Sequence, residues 1–269
     1  MDTASPPPIG ELLREWRQRR RLSQLDLACE ADISTRHLSF LETGRARPSR
    51  DMILHLAERL DMPLRERNRL LNAAGFAAAF PERALADPAL ESARRAVDVV
   101  LQGHGPYPAL AADRRWNLLA ANAAAGRLMT GAAPALLEPP VNVLRLSLHP
   151  DGLAPRIANL REWRAHLLER LRRQIEVTAD AGLMELREEL ARYPAPAGAA
   201  HGDGAADFAG VVTPLRLVTE AGVLSLFSTT TIFGTPVDVT LSELALETFF
   251  PADAATAEAL QRMAGGEGG

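Results

Sequence analysis

The chain has 269 residues, 47% hydrophobic and 24% charged, with a formal net charge of −4, a composition that excludes wholesale disorder and leaves room for two domains. No apolar run reaches the roughly 18 residues of a membrane span, and the opening MDTASPPPIGELLREW lacks the charged start and apolar stretch of a secretory signal. A lone cysteine, Cys29, excludes an internal disulfide and a cysteine-built metal site, so a cytoplasmic protein with no membrane partner is expected. The basic side chains are all arginine, and they are unevenly placed. Residues 1–75 carry 13 against 11 acidic residues, and the remainder 17 against 23.

In chain order, residues 1–8 contain three consecutive prolines and are expected to form a disordered leader. From Ile9 to Ala74 apolar residues recur at helical spacing, which predicts an all-α domain over 9–75. Residues 76–104 read as a linker and connecting helix. Asp87 and Pro88 are a start signal for a helix over 88–102, whose Leu90, Ala93, Val97, Val100 and Leu101 share one face. Two strand-like pieces then flank Asp113-Arg114-Arg115 over 108–120. Ala121–Thr130 and 141–148 read as helices, 156–192 as mostly helical, and 194–209 as a glycine- and alanine-rich loop. Three β-branched runs, 211–219, 223–233 and 236–249, are divided by turns at Glu220-Ala221-Gly222 and Gly234-Thr235-Pro236. The expected fold is multidomain: an all-α five-helix domain, then an α+β domain over 105–255 with an antiparallel sheet and helices on one side. Residues 256–269 read as a tail.

Residues 22–49, LSQLDLACEADISTRHLSFLETGRARPS, carry the most specific pattern. Ser23 and Ser34 are N-cap candidates for two short helices joined by about three residues. Ala28 is small where the helices cross, Ile33 and Leu38 plug the junction, and Gly44 ends the second helix. A protruding second helix fits the major groove of B-DNA. This frame (Leu22, Ser23, Gln24, Leu27, Ala28, Ile33, Ser34, Leu38, Leu41, Glu42, Gly44, Pro48, Ser49) resembles the XRE, or lambda-repressor-like, helix-turn-helix family. The resemblance implies double-stranded DNA as partner and Thr35, Arg36, Ser39 and Phe40 as base-facing residues. Gln24, Arg45, Arg47 and Arg17 would contact phosphates, with Arg20 or Arg21 in part. Phe40 departs from the polar residue often found there, and either a thymine methyl or a neighbouring domain would suit it. Glu42 reads as structural, bonding backbone amides or Arg14. One short recognition helix reads few base pairs, so a homodimer is expected.

Residues 107–122, YPALAADRRWNLLAAN, resemble the opening of a PAS-type sensor domain. The stretches at 142–153, 159–173 and 224–253 are similar to the MmyB-like regulators, which join an XRE helix-turn-helix to a PAS-like ligand-binding domain. That resemblance implies a sensor of a small apolar ligand, with fatty-acid-like molecules included. Apolar wall candidates are Trp116, Leu118, Leu144, Leu148, Trp163, Leu167, Leu226 and Phe233; polar ones are Arg145, His149, Ser228 and Thr230. An inward Arg or His would suit a carboxylate head group. Each is also readable as an ordinary core or solvated residue, since pocket walls are themselves mostly apolar, and His149-Pro150-Asp151-Gly152 reads as a helix-ending turn. The alternative is a second domain serving only dimerisation or protein–protein contact. The six histidines are scattered and no nucleophile grouping stands out, so no metal, cofactor or catalytic site is expected.

Overall fold

The computed structural model describes residues 7–194, 213–232 and 238–265. The order of elements is α1 (Ile9–Arg19), α2 (Gln24–Glu30), α3 (Thr35–Glu42), α4 (Arg50–Arg59), α5 (Leu64–Ala73), α6 (Glu91–Gly103), β1 (Ala109–Ala112), β2 (Leu118–Ala121), α7 (Ala123–Met129), α8 (Val143–Leu148), α9 (Leu160–Thr178), α10 (Ala181–Arg192), β3 (Leu215–Thr219), β4 (Gly222–Ile232), α11 (Val239–Ser242), β5 (Ala245–Pro251) and α12 (Ala254–Gly265). They fall into two compact units. One comprises Met1–Arg83, Glu176–Thr178 and Pro236–Ser242; the other comprises Ala84–Ile175, Ala179–Thr235 and Glu243–Gly269.

The first unit is built on α1 to α5, with serine starts doing the local work. Ser23 Oγ accepts from the Asp26 amide at 3.1 Å while the Asp26 carboxylate accepts from the Ser23 amide at 2.8 Å, a reciprocal cap for α2. Ser34 and Ser49 cap α3 and α4 in the one-way form. Asp32, at φ 51°, turns the chain between α2 and α3. Leu13, Leu27, Leu38, Leu41, Ile53, Leu56, Leu70 and Leu71 are fully buried and form the core. Gly10 lets α1 cross the end of α3: a Cβ there would lie 2.5 Å from the Glu42 carbonyl oxygen. The five helices expected over 9–75 are all present.

The third β-branched run does not become one strand. Its described part begins as the short helix α11, where the Val239 amide donates to Pro81 O at 2.8 Å. Asp238, buried, accepts from Arg83 at 2.9 Å. Strand geometry resumes only at Ala245.

The second unit holds a five-stranded sheet among the described residues, in the order β2-β1-β5-β4-β3, antiparallel throughout. Neighbours in a strand point to opposite faces, so the register sorts the side chains. Leu110 pairs with Glu247 and Glu247 with Thr230; Phe249 pairs with Ser228 and Leu226 with Leu215. These lie on the face that packs with Leu128, Leu144, Trp163, Leu167 and Leu186 of the covering helices. The opposite face carries Ala109, Ala111 and Leu246 and packs with Val97 and Leu101 of α6. Helices therefore cover both faces, not the single face expected.

Two further elements differ from expectation. The helical stretch over 156–192 breaks at Ala179, φ 57°, because Asp180 caps a second helix through the Gly182 amide (2.8 Å) and accepts from Arg114 and Arg115. The expected tail is in part a helix, α12, started by Asp253 and anchored by buried Ala259 and Leu260.

Asn122 joins three segments. Its Oδ1 caps α7 through the Ala125 amide and accepts from the Ala109 amide; its Nδ2 donates to Leu101 O and Tyr107 O. Asn122→Ala should destabilise this unit by about 2–4 kcal/mol, combining a lost cap with orphaned buried groups. Urea unfolding followed by tryptophan emission checks this, and an unchanged midpoint would contradict it.

Candidate DNA-contacting helix and ligand cavity

Helix α3 buries Leu38 and Leu41 and leaves Arg36 exposed, with Thr35, Ser39 and Phe40 half-buried. Arg36 and Phe40 are one turn apart, and the guanidinium carbon lies 5.3 Å from the ring centroid. That contact rests the Arg36 side chain on Phe40 and keeps its donors outward. Arg45 and Arg47 are exposed just beyond the helix, and neither forms an ion pair among the described residues. The Arg45 amide donates to Phe40 O at 2.8 Å, which holds this segment back against α3.

Behind α3 lies a buried charge cluster. The Glu42 carboxylate accepts from Arg17 Nε at 2.7 Å and Nη2 at 2.9 Å, and from Gln24 Nε2 at 2.8 Å. Arg17 also donates to Leu22 O at 2.9 Å. The expectation of a phosphate contact for Arg17 is therefore corrected: at 9% exposure its fork is engaged inside the fold. Glu42 is structural as expected, but its principal partner is Arg17, with Arg14 more distant at 3.7 Å. Gln24 braces α3 through Glu42. Arg20, half-buried, donates to Leu60 O and Asp61 O and lies over the Trp16 ring, so it too is tied inward.

Burial pushes the Glu42 carboxyl up, but hydrogen bonds from Arg17 and Gln24 and the charges of Arg17 and Arg14 outweigh it and hold the group below the usual glutamate range. A carboxyl depressed on folding stabilises fully above its unfolded value and progressively less as pH falls through the folded one.

In the second unit a cavity of about 80 Å³ lies between the sheet and the helices. Leu110, Leu215, Leu217, Glu247 and Phe249 form its sheet wall. Leu128 and Met129 of α7, Leu144 and Ser147 of α8, and Trp163 and Leu167 of α9 form its helical wall. Of the wall residues expected from sequence, Leu144, Trp163 and Leu167 line this space. Trp116, Leu148 and Leu226 are buried in the same cluster, with Leu118 packed against it, but they do not line the cavity. Phe233 lies outside the described residues.

The expected head-group residues are placed elsewhere. Arg145 forms a bidentate pair with Glu189, both contacts 2.7 Å, and this pairing draws the Glu189 carboxyl down to about 2. His149 Nδ1 accepts from the Asp151 amide at 3.0 Å and its ring meets Tyr193 edge-on, so the turn reading holds. Neither lines the cavity. Ser228 and Thr230 touch it indirectly. Glu247, at 4% exposure, accepts from Arg170 at 2.8 Å and from Ser228 Oγ at 2.9 Å, and Arg170 donates onward to Thr230 Oγ1 at 2.7 Å. Arg170 lies 4.1 Å over the ring of Trp116, whose Nε1 donates to Gln174. Trp116 thus supports the cavity's charged residue from behind. Its φ of 66° is unusual for a bulky side chain and is held by the Trp116 amide bonding Asp113 O.

Residues 93–263 match the profile of the MmyB-like transcription regulator ligand binding domain. The chain belongs to the MmyB-like transcription regulators. Residues 8–70 match a helix-turn-helix domain profile, so this MmyB-like regulator joins a DNA-binding domain to a ligand-binding one. Both are domains of transcription regulators, not of enzymes. No curated protein matches the chain. Among solved structures, an RNA-binding Light-Oxygen-Voltage receptor is similar at 14% identity and a TM-score of 0.28, covering 98% of this chain. The chain spans 64% of that protein's length, and a likeness so low bears on neither fold nor function. Among the described residues no helix is long and apolar enough to cross a membrane, and no three His, Cys, Asp or Glu are grouped to hold a metal.

Glu42→Ala should destabilise the helical unit by about 3–5 kcal/mol, because it leaves Arg17 buried without its counter-charge. Glu42→Gln should flatten the loss of stability that the wild type shows as pH falls below about 4.3, the ordinary glutamate value. Denaturant unfolding across that pH range measures both, and parallel wild-type and Gln profiles would refute the role given to this carboxylate.

Proposed function

We propose that the chain is a sequence-specific DNA-binding regulator whose second unit senses a small, mostly apolar molecule in the cavity beneath the sheet. Thr35, Arg36, Ser39 and Phe40 face the bases, and Arg45 and Arg47 hold phosphates. Gln24 acts through Glu42 to position α3. Two copies pair on DNA, since one eight-residue recognition helix reads few base pairs, and action on DNA places the protein in the cytoplasm. The observation that carries the sensing half is the cavity wall, in which Glu247 is the one charged residue among those described. Such a wall suits an aliphatic chain, the tail of a fatty-acid-like molecule. At about 80 Å³ the space is well below the 300–1,000 Å³ of ordinary ligand sites, so entry requires the wall to yield, and unbranched Met129 is the side chain suited to that.

The small volume also favours a second reading, in which the unit serves only dimerisation or protein–protein contact and its own side chains fill the core. Native mass spectrometry of the purified protein separates the two: co-purified lipid supports the sensor, and an empty chain that takes up no lipid from cell extract supports the contact module.

Selection of bound fragments from a random DNA pool tests the DNA half. Arg36→Ala should weaken binding to the selected site by about 1–3 kcal/mol and relax one position. Arg45→Ala should weaken all sequences alike and lower the salt slope by about 1. Equal loss on selected and random DNA for Arg36→Ala would overturn its base-reading role.

A further inference from the structure

We propose that His104 is a positioning residue of the second unit: it fastens the end of α6 to the cavity wall, and occupancy of the cavity reaches DNA binding through that bond. The proposal rests on the cavity being the ligand site and names how its occupancy is read out. Pro108 and Phe249 both line the cavity, just beyond the Ala109–Thr248 pair that begins β1. The Phe249 amide donates to Pro108 O at 2.9 Å. In an antiparallel pair of this kind the opposite amide returns the bond, but proline has no N–H to give. The Phe249 carbonyl is taken instead by His104, whose Nε2 lies 2.8 Å from it. A carbonyl only accepts, so the ring donates through Nε2. The same ring meets Phe250 edge-on at 4.8 Å and Tyr107 at 5.9 Å. Phe249 and Phe250 point to opposite faces of the sheet. His104 therefore grips, from the α6 side, a residue whose side chain faces the cavity.

His104 closes α6 as its C-cap residue, and α6 is the first α-helix after the helical unit ends at Arg83. A helix is stiff, so a shift at one end is carried to the other. A second tie joins α6 to the cavity: Asn122, the N-cap of α7, donates to Leu101 O, and Ala125, Leu128 and Met129 of α7 line the space. The two ties differ in strength. Asn122 is buried and its side chain makes four hydrogen bonds, so it is a fixed bolt. His104 is half-buried and its ring makes one among the described residues, so water can replace either partner when that bond parts. The cavity, at about 80 Å³, accepts an aliphatic chain only when its wall moves. A displaced Phe249 either draws His104 and α6 with it or breaks the bond, and in both cases α6 is held differently.

The test is anisotropy titration of a selected duplex with the full chain, with and without dodecanoate as the aliphatic probe, its uptake checked by native mass spectrometry. The wild-type midpoint should move by at least about fivefold when dodecanoate is bound. His104→Ala should still take up dodecanoate and bind the duplex, yet its midpoint should move less than about twofold. His104→Gln, whose side-chain N–H can serve the same carbonyl, should recover most of the wild-type shift. If His104→Ala fails to fold, His104→Phe, which keeps the ring contacts and loses the donor, takes its place with the same expected result. A residue that only stabilised the unit would lower the melting temperature and leave the ratio of midpoints unchanged. A wild-type ratio in the variant that lacks the donor would therefore overturn the proposal and leave the cavity as the ligand site. Uptake without any shift in the wild type, or no uptake at all, would instead overturn the sensor reading and the proposal with it.

Discussion

A carboxylate removed from water must be met by charge and by hydrogen bonds, or the fold around it does not stand. Among the described residues Glu42, Asp180, Asp238 and Glu247 are buried and each is met by arginine, and two of them, Glu42 and Glu247, lie at α3 and at the cavity. In the helical unit Glu42 ends α3 inside the core and draws Arg17 from α1 and Gln24 from α2 onto itself. In the sheet unit Glu247 sits in the central strand and draws Arg170 from α9 and Ser228 from β4. Each cluster ties together elements far apart in sequence.

The two clusters differ in their surroundings, and the difference fits what each unit is proposed to do. Glu42 has both oxygens engaged, as suits a helix that must be held rigid so that its outer side chains keep one geometry. Glu247 has Oε1 engaged by Arg170 and Ser228 and lines a cavity. Alternation in the strands sets this up. Leu110, Glu247 and Phe249 reach one face, while Ala109, Ala111 and Leu246 pack small against α6 on the other. The tight face fixes the sheet, and the looser face can hold something else.

Much of this was legible in the sequence where the signal is local. Ser23 and Ser34 announce their helices because a cap needs only a neighbouring amide. Asn122 and Asn142 start α7 and α8 through the same kind of local bond. What the sequence concealed depends on partners distant along the chain. Arg17 reads as a surface cation until Glu42, 25 residues away, takes its guanidinium. Arg145 reads as an anchor for an anion until Glu189 closes on it. The break at Ala179 and the helical turn at Val239 are likewise set by contacts from Arg114, Arg115 and Pro81. One sequence signal does mark the cavity: Glu247, two residues before Phe249, is a charged residue in a strand otherwise apolar and threonine-bearing.

A regulator that senses through this cavity, as proposed, changes its DNA binding when the cavity is occupied. The most direct measurement is fluorescence anisotropy of a selected duplex titrated with the full chain, with and without whole-cell lipid extract, with lipid uptake checked by native mass spectrometry. Coupling between two sites is commonly worth about 1–3 kcal/mol, or about 5–150-fold in affinity, so the titration midpoint should move by at least fivefold when lipid is bound. Superimposable curves from lipid-bound and lipid-free protein would contradict the account.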